Sequence, residues 1–83
     1  MKHTALPDFW RCYNKLPKEV RDLADKNYAL LNVDPRHPSL HFKKVKSGYS
    51  VRIGRGYRAL AFDQDGEPVW FWIGPHGEYD QRI

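Results

Sequence analysis

The fold of this chain is decided by one stretch in its second half, Tyr49-Ser50-Val51-Arg52-Ile53-Gly54-Arg55-Gly56-Tyr57-Arg58-Ala59-Leu60-Ala61-Phe62. Apolar and polar side chains alternate before and after a glycine-rich turn, which is the pattern of two strands joined as a hairpin. Because successive side chains of a strand point to opposite faces, Val51 and Ile53 share one face and Arg52 lies on the other. The stretch therefore predicts an antiparallel hairpin whose second face carries arginine.

Working outward, four segments have the composition of short strands: residues 40–45, 49–54, 57–62 and 69–74. The intervening residues, 46–48, 55–56 and 63–66, are turn formers, so the four strands should form an antiparallel meander. The last of them is apolar on both sides, which indicates a central strand covered on both faces. Residues 2–5 would add a short N-terminal edge strand.

The first half of the chain has helical periodicity instead. Phe9, Tyr13 and Leu16 are spaced for one face of a helix that starts at Pro7 or Asp8. A second helix should begin with Pro17 in its first turn and end before residues 34–35, Asp-Pro. Its apolar stripe comprises Val20, Leu23, Ala24, Asn27 or Tyr28, and Leu31. The predicted class is α+β, with an N-terminal helical hairpin packed on one face of a four-stranded antiparallel sheet.

The bulk composition narrows the class of protein. A chain of 83 residues with one cysteine, Cys12, suits a single domain spanning residues 1–83, without an internal disulfide or a cysteine-based zinc site. No segment approaches the roughly 20 apolar residues of a membrane helix, and the N-terminus lacks the apolar run of a signal peptide. We therefore expect a cytoplasmic protein with no membrane partner.

Charge is distributed unevenly along the chain. Seven cations and no Asp or Glu lie between residues 35 and 62: Arg36, Lys43, Lys44, Lys46, Arg52, Arg55 and Arg58. Such cations repel one another, and a polyanion would supply the missing charge. With no acid nearby in sequence to pair with, the arginines favour phosphate binding over surface ion pairs. Gly54 and Gly56 do not make a dinucleotide-binding motif, because the third glycine and the following helix are absent.

The histidines suggest proton chemistry rather than metal binding, because their spacing is not that of metal ligands. His76 follows the last strand and is the best proton-transfer candidate, because histidine as a residue type can donate or accept a proton near neutral pH; a surface loop histidine is the alternative. The helices should cover one sheet face, so Arg52, Arg58 and Lys43 would line a basic groove on the other face. His41 is out of phase with its apolar neighbours on the first strand and would face this groove. Tyr79 is either a second group at the rim of that groove or an anchor packed on the sheet. Trp70 and Trp72 are interpreted chiefly as core or interface residues.

Taken in order, these segments resemble the RelE/ParE superfamily of toxins from bacterial type II toxin–antitoxin systems, and specifically its ribonuclease branch. The resemblance spans essentially the whole chain. It is carried by residues 16–20, 34–43, 49–54, 57–60 and 70–80.

The resemblance implies a toxin that cleaves mRNA, often on the ribosome, and that a cognate antitoxin neutralises. In such enzymes the RNA 2′-OH attacks the adjacent phosphate without a metal or other cofactor. It also implies catalytic roles for residues at matching positions: Arg52, Arg58, His76 and Tyr79, with His41 added here from its place beside the groove. The remaining cations would bind RNA: Lys43, Lys44, Lys46 and Arg55.

The sequence departs from the family pattern in three respects. The basic stretch holds no counterpart of a glutamate general base, for which His41 is the available substitute and Glu78 a poorer one. Ser50 stands where some members have lysine, and the N-terminal strand is short. Two other functions therefore stay open: a non-nuclease toxin of the ParE type that inhibits DNA gyrase, and a basic RNA-binding module without catalysis. The pair formed by His76 and Tyr79 favours the nuclease.

Overall fold

The computed structural model describes residues 2–46 and 48–82. Its elements, in chain order, are β1 (Thr4–Ala5), α1 (Pro7–Asn14), α2 (Lys18–Val33), a 3₁₀ turn (Pro38–Leu40), β2 (Lys43–Val45), β3 (Gly48–Ile53), β4 (Tyr57–Gln64), β5 (Glu67–Pro75) and α3 (His76–Arg82). No helix in the described part of the chain is long and apolar enough to cross a membrane.

The sheet has five strands in the order β1-β5-β4-β3-β2. Strands β2 to β5 form the predicted antiparallel meander. The fifth strand is the short N-terminal edge strand, which pairs parallel to β5 through Thr4 opposite Val69 and Ala5 opposite Trp70. The predicted α+β class is confirmed, and the sheet of four predicted strands becomes one of five.

The main core lies between the sheet and the hairpin formed by α1 and α2. Its buried members come from both layers: Leu16, Ala24, Leu31, Leu40, Val51, Ile53, Ala59, Ala61, Trp70 and Ile73. Removing this apolar surface from water is the main source of stability in a chain of this length. Strand β5 is central, as predicted, because α1 packs along it on one side and α3 lies on the other.

The second face of the sheet is not fully open, because residues predicted as a loop form helix α3. The backbone N–H of His76 donates to the carbonyl oxygen of Gly56 at 2.7 Å, which ties the start of the helix to the β3–β4 turn. One turn later Tyr79, only 3% exposed, packs on Leu60 and Trp72. Helix α3 thus places His76 beside β4, next to the turn that joins β3 and β4.

A β-bulge at Phe71 changes which side chains face α3. Leu60 is paired with Trp72 and Ala61 with Trp70, so Phe71 is an extra residue on β5. A bulge lets two consecutive side chains lie on the same face. Trp70 accordingly packs on the hairpin side, whereas Phe71 and Trp72 both pack on the α3 side. Both tryptophans are buried, which confirms their interpretation as core residues.

Three local predictions need correction. The strand predicted at residues 40–45 begins only at Lys43, because Leu40 ends the 3₁₀ turn with its side chain fully buried. His41 is therefore not on a strand; it terminates that turn in the left-handed conformation, with φ of 46°. Pro17 immediately precedes α2 and does not lie in its first turn. Ser47, in the predicted turn at residues 46–48, lies outside the described residues.

We expect acid to destabilise the fold through His3. Its Nδ1 accepts a hydrogen bond from Nε1 of Trp70 at 3.1 Å, and burial lowers the pKa of His3. The folded chain therefore binds fewer protons than the unfolded chain as the pH falls through about 6.5, so this contribution is present above that pH and lost below it. The melting temperature should fall between about pH 7.5 and about pH 5.5.

The matched variant is His3→Gln, which keeps an acceptor for Trp70 but does not titrate. Its melting temperature should depend less steeply on pH across the same interval. Equal slopes in the two proteins would show that His3 is not responsible.

Candidate active site

The second sheet face brings two arginines together. Arg52 on β3 is directly opposite Arg58 on β4, next to the turn that joins the strands. Like charges opposite each other destabilise a sheet, and neither arginine forms an ion pair with any residue in the described part of the chain. The pair therefore has the charge and geometry of an anion-binding site.

Arg58 is held by two side chains of α3. Its Nε donates to Nδ1 of His76 at 3.1 Å, and its guanidinium carbon lies 5.0 Å from the ring centre of Tyr79. The rings of His76 and Tyr79 are stacked, with centres 5.7 Å apart. Nη1 of Arg58 is buried and has no hydrogen-bond partner among the described residues. A buried donor without a partner costs free energy.

The contact with Arg58 determines the tautomer of His76. A guanidinium N–H can only donate, so Nδ1 must be the acceptor nitrogen. A neutral imidazole carries its proton on the other nitrogen, which we assign as Nε2 on this geometry. His76 is exposed at the surface of the molecule.

Tyr79 is placed as a support for these groups. Its hydroxyl donates to Oγ of Ser50 at 3.4 Å in the interior, where Ser50 is fully buried. The ring lies under Arg58 and beside His76, whereas little of it reaches solvent. The sequence left two interpretations of Tyr79, a second group at the rim of the groove or an anchor packed on the sheet, and its burial favours the anchor. Ser50, noted in the sequence only as a departure from the family pattern, is the acceptor for that anchor.

Arg52 is fixed from both sides of its strand. Its backbone carbonyl accepts from Nδ2 of Asn27 on α2 at 3.0 Å, and its own Nε donates to the carbonyl of Gly54 at 2.8 Å. Its Nη1 lies 3.5 Å from Nε2 of His41. Gly54 has φ of +62°, a conformation that favours glycine, and a Cβ there would lie 2.7 Å from the end of the Leu23 side chain, which would have to shift.

The site is consequently a row of four side chains, His41, Arg52, Arg58 and His76, across three segments of the chain. We call it the Arg–His row. Asn27 was missed as a supporting residue because it falls within an apolar helical stripe. A polar side chain on a buried stripe was the available signal, since such a group needs a partner in the interior.

The lysines do not all lie on this face. Lys43 is opposite Ser50 and therefore shares the face of the Arg–His row. Lys44 points to the other face, where its Nζ lies 5.9 Å from the ring centre of Tyr49 and 3.3 Å from Oδ2 of Asp63. The backbone N–H of Gly66, and secondarily Lys44, hold the pKa of Asp63 below its ordinary value.

The other predicted groups are peripheral. Lys46 and Arg55 are exposed in turns at opposite ends of β3, and Glu78 is exposed on α3. Within residues 2–46 and 48–82 no cluster of His, Cys, Asp or Glu could hold a metal ion.

Comparison with known proteins places the chain in a family. The ParE-like toxin domain matches residues 18–81, which include every member of the Arg–His row. The chain belongs to this family. The resemblance to the RelE/ParE superfamily of toxins is thereby confirmed.

Solved structures share the fold of this ParE-like toxin domain. RelE in the RelB–RelE antitoxin–toxin complex from Methanococcus jannaschii is 14% identical, with TM-score 0.71 and coverage of 96% of this chain and 98% of that one. A structure of the archaeal RelE–RelB complex from Pyrococcus horikoshii OT3 is 17% identical, with TM-score 0.70 and coverage of 92% of this chain and 94% of that one. The isolated E. coli RelE toxin is 18% identical, with TM-score 0.62 and coverage of 98% of this chain and 96% of that one. No curated protein matches the chain significantly.

Proposed function

We propose that this ParE-like toxin domain is the toxin of a toxin–antitoxin system and acts as a metal-independent endoribonuclease on mRNA. The observation that carries the proposal is the Arg–His row, in which two adjacent arginines are flanked by one histidine on each side. Two cations suit a phosphodiester, and two histidines suit the proton transfers at its ends.

The chemistry is an internal transesterification. His41, whose Nε2 lies beside Arg52, takes the proton of the RNA 2′-OH as its oxygen attacks the adjacent phosphorus. Arg52 and Arg58 stabilise the charge that develops on the phosphoryl oxygens. The bond from phosphorus to the 5′ oxygen breaks, and that oxygen receives the Nε2 proton of His76 in its imidazolium form, which the ring reaches by binding a proton at Nδ1 in place of the hydrogen bond from Arg58. The products are a 2′,3′-cyclic phosphate and a 5′-OH.

The antitoxin and the RNA substrate are both proposed to bind the sheet face that carries the Arg–His row. Two of the structural neighbours are complexes of RelE with RelB, which supports a cognate antitoxin as the partner of this chain. We propose that an acidic segment of the antitoxin covers the Arg–His row and competes with RNA for it. The substrate would be mRNA on the ribosome, so the toxin would act in the cytoplasm.

The experiment is a cleavage assay with product analysis. Purified protein is incubated with mRNA, with and without ribosomes and with a chelator present, and the 5′ and 3′ ends of the fragments are identified. A cyclic phosphate and a 5′-OH support the proposal. If RNA stays intact under both conditions while the protein blocks DNA supercoiling by gyrase, the ParE-type function is correct. Binding of RNA without either effect identifies a binding module.

Two adjacent lysines test which face meets RNA. Lys43→Ala should weaken binding of an RNA oligomer and lower the salt dependence of log K by roughly 0.7, the value for one phosphate contact on a single strand. Lys44→Ala is the matched control, because Lys44 lies on the other face and is paired with Asp63. The measurement is a titration of an uncleavable oligomer at several salt concentrations. Equal effects of the two substitutions would contradict the assigned face.

A further inference from the structure

The sheet face that carries the Arg–His row also bears an aromatic pair, of which one ring is exposed and the other partly buried. The rings of Phe62 and Phe71 lie 4.1 Å apart at an interplanar angle of 18°, and Phe62 is 49% exposed. We call this pair the aromatic platform. Its exposure is unfavourable in water, and large apolar side chains left open on a sheet suggest a binding partner.

The backbone produces this platform in two ways. The bulge in β5 turns Phe71 to the same face as Trp72, so that Phe71 packs against the small cluster under α3 and backs the ring of Phe62. Gly48 is opposite Phe62 on β3 and supplies no side chain there. A Cβ at Gly48 would lie 1.8 Å from the carbonyl oxygen of Ala61, so glycine is required by the close approach of the strands.

The platform lies in line with the Arg–His row. Phe62 is four residues beyond Arg58 on β4 and faces the same way, which puts it about 13 Å further along the strand. Lys43 lies on this face between the two sites. Exposed Lys46 follows Val45, which packs against the buried cluster of Leu60, Trp72 and Tyr79. On β5 the acid that shares this face is Glu67, opposite Gln64 at the far end of the strand.

We propose that the aromatic platform is a nucleobase-stacking subsite for single-stranded RNA, holding a base a few nucleotides from the phosphate on the Arg–His row. This inference rests on the proposed function and extends it to substrate positioning. A rigid ring backed by a second ring offers a flat surface, which suits a planar base and tolerates any sequence. Lys43 between the two sites, with Lys46 near the platform, matches the phosphates of a strand that joins them.

The test uses binding of an RNA oligomer made uncleavable by 2′-deoxy substitution at the scissile nucleotide. Phe62→Ala should weaken binding about 5–150-fold, the range for loss of one stacked base, without changing the salt slope. Phe62→Trp should bind as well as wild type. Phe62→Leu keeps apolar volume but loses the flat ring, and should bind RNA as poorly as the alanine variant. Trp10→Ala is the matched control, because Trp10 on α1 is 48% exposed on the hairpin side of the molecule.

A second arm removes the base instead of the ring. An oligomer with one abasic nucleotide, moved stepwise from the scissile position, should lose affinity for wild type at one position and lose nothing further with Phe62→Ala. The proposal is overturned if Phe62→Ala binds RNA normally, or if no abasic position is sensitive. It is also overturned if Phe62→Ala weakens only the antitoxin complex, which would make the platform a protein-docking surface. Normal cleavage by that variant in any of these cases leaves the proposed nuclease function standing.

Discussion

Replacing His76 with alanine should slow RNA cleavage by about 10²–10⁴-fold under single-turnover conditions while leaving RNA affinity nearly unchanged. The loss is large because His76 supplies the proton for the departing 5′ oxygen, whereas phosphate affinity comes mainly from the arginines. The fold should persist, because the hydrogen bond from residue 76 to Gly56 is made by the backbone and the side chain is exposed.

Two isosteric variants distinguish proton transfer from hydrogen bonding at this position. His76→Asn keeps an acceptor near Arg58, and His76→Gln keeps an N–H near the position of Nε2, but neither titrates near neutrality. If His76 transfers a proton, both should be about as slow as the alanine variant. Cleavage at the wild-type rate by His76→Ala would refute the assignment, and near-normal rates with His76→Gln would reduce the role to hydrogen-bond donation.

The companion test concerns the general base. His41→Asn is preferable to alanine here, because asparagine tolerates the left-handed backbone at this position better than most residues. A loss comparable to that of His76→Ala would define a two-histidine site. A negligible loss would leave the base to water or to Glu78.

Arg58→Ala should cost about 10²–10³-fold in the rate of cleavage, the range seen when one donor to a developing oxyanion is removed. The substitution removes positive charge beside the phosphate and also the partner that orients His76. Arg58→Lys should recover little, because an ammonium group lacks the Nε–H and the planar fork that lies on Tyr79. The measurement is single-turnover cleavage, with circular dichroism to verify folding.

Three further variants test whether the effect of Arg58→Ala is specific to the role of Arg58 in the active site. Arg55→Ala changes an exposed turn cation and should alter affinity slightly without changing the rate of the bound complex. Tyr79→Phe keeps the ring under Arg58 and loses only the contact with Ser50, so its loss should be smaller. The double variant of Arg58 and His76 should be slowed by less than the product of the single losses, because the two side chains act together. Full activity of folded Arg58→Ala would exclude the Arg–His row as the active site.

Much of the framework could be predicted because it depends on local patterns. Alternation in residues 49–62 predicts the central hairpin and assigns Arg52 and Arg58 to one face, since side-chain direction on a strand follows from residue parity. Helical spacing predicts α1 and α2, and apolar residues on both sides of β5 predict its central position. Each of these signals is contained within a few consecutive residues.

The remaining features depend on contacts between distant segments. Helix α3 has seven residues and contains a glycine, so it lacks the length for stability alone; it is held because Tyr79 packs into the sheet beside Ser50. The bulge at Phe71 arises from pairing between β4 and β5, and it reverses the parity on which a strand prediction depends. Lys44 has no nearby acid in sequence, yet the fold brings Asp63 to it.

The sequence by itself determined the fold class, the excess of cations between residues 35 and 62, and the identities of the four side chains in the Arg–His row. Only the tertiary structure decided how they meet. It turned His41 off its predicted strand, placed Nδ1 of His76 against Arg58, and made Tyr79 a buried support. The physical reason is that parity and periodicity are properties of neighbouring residues, whereas a hydrogen bond such as that between Arg58 and His76 requires the packing of separate elements.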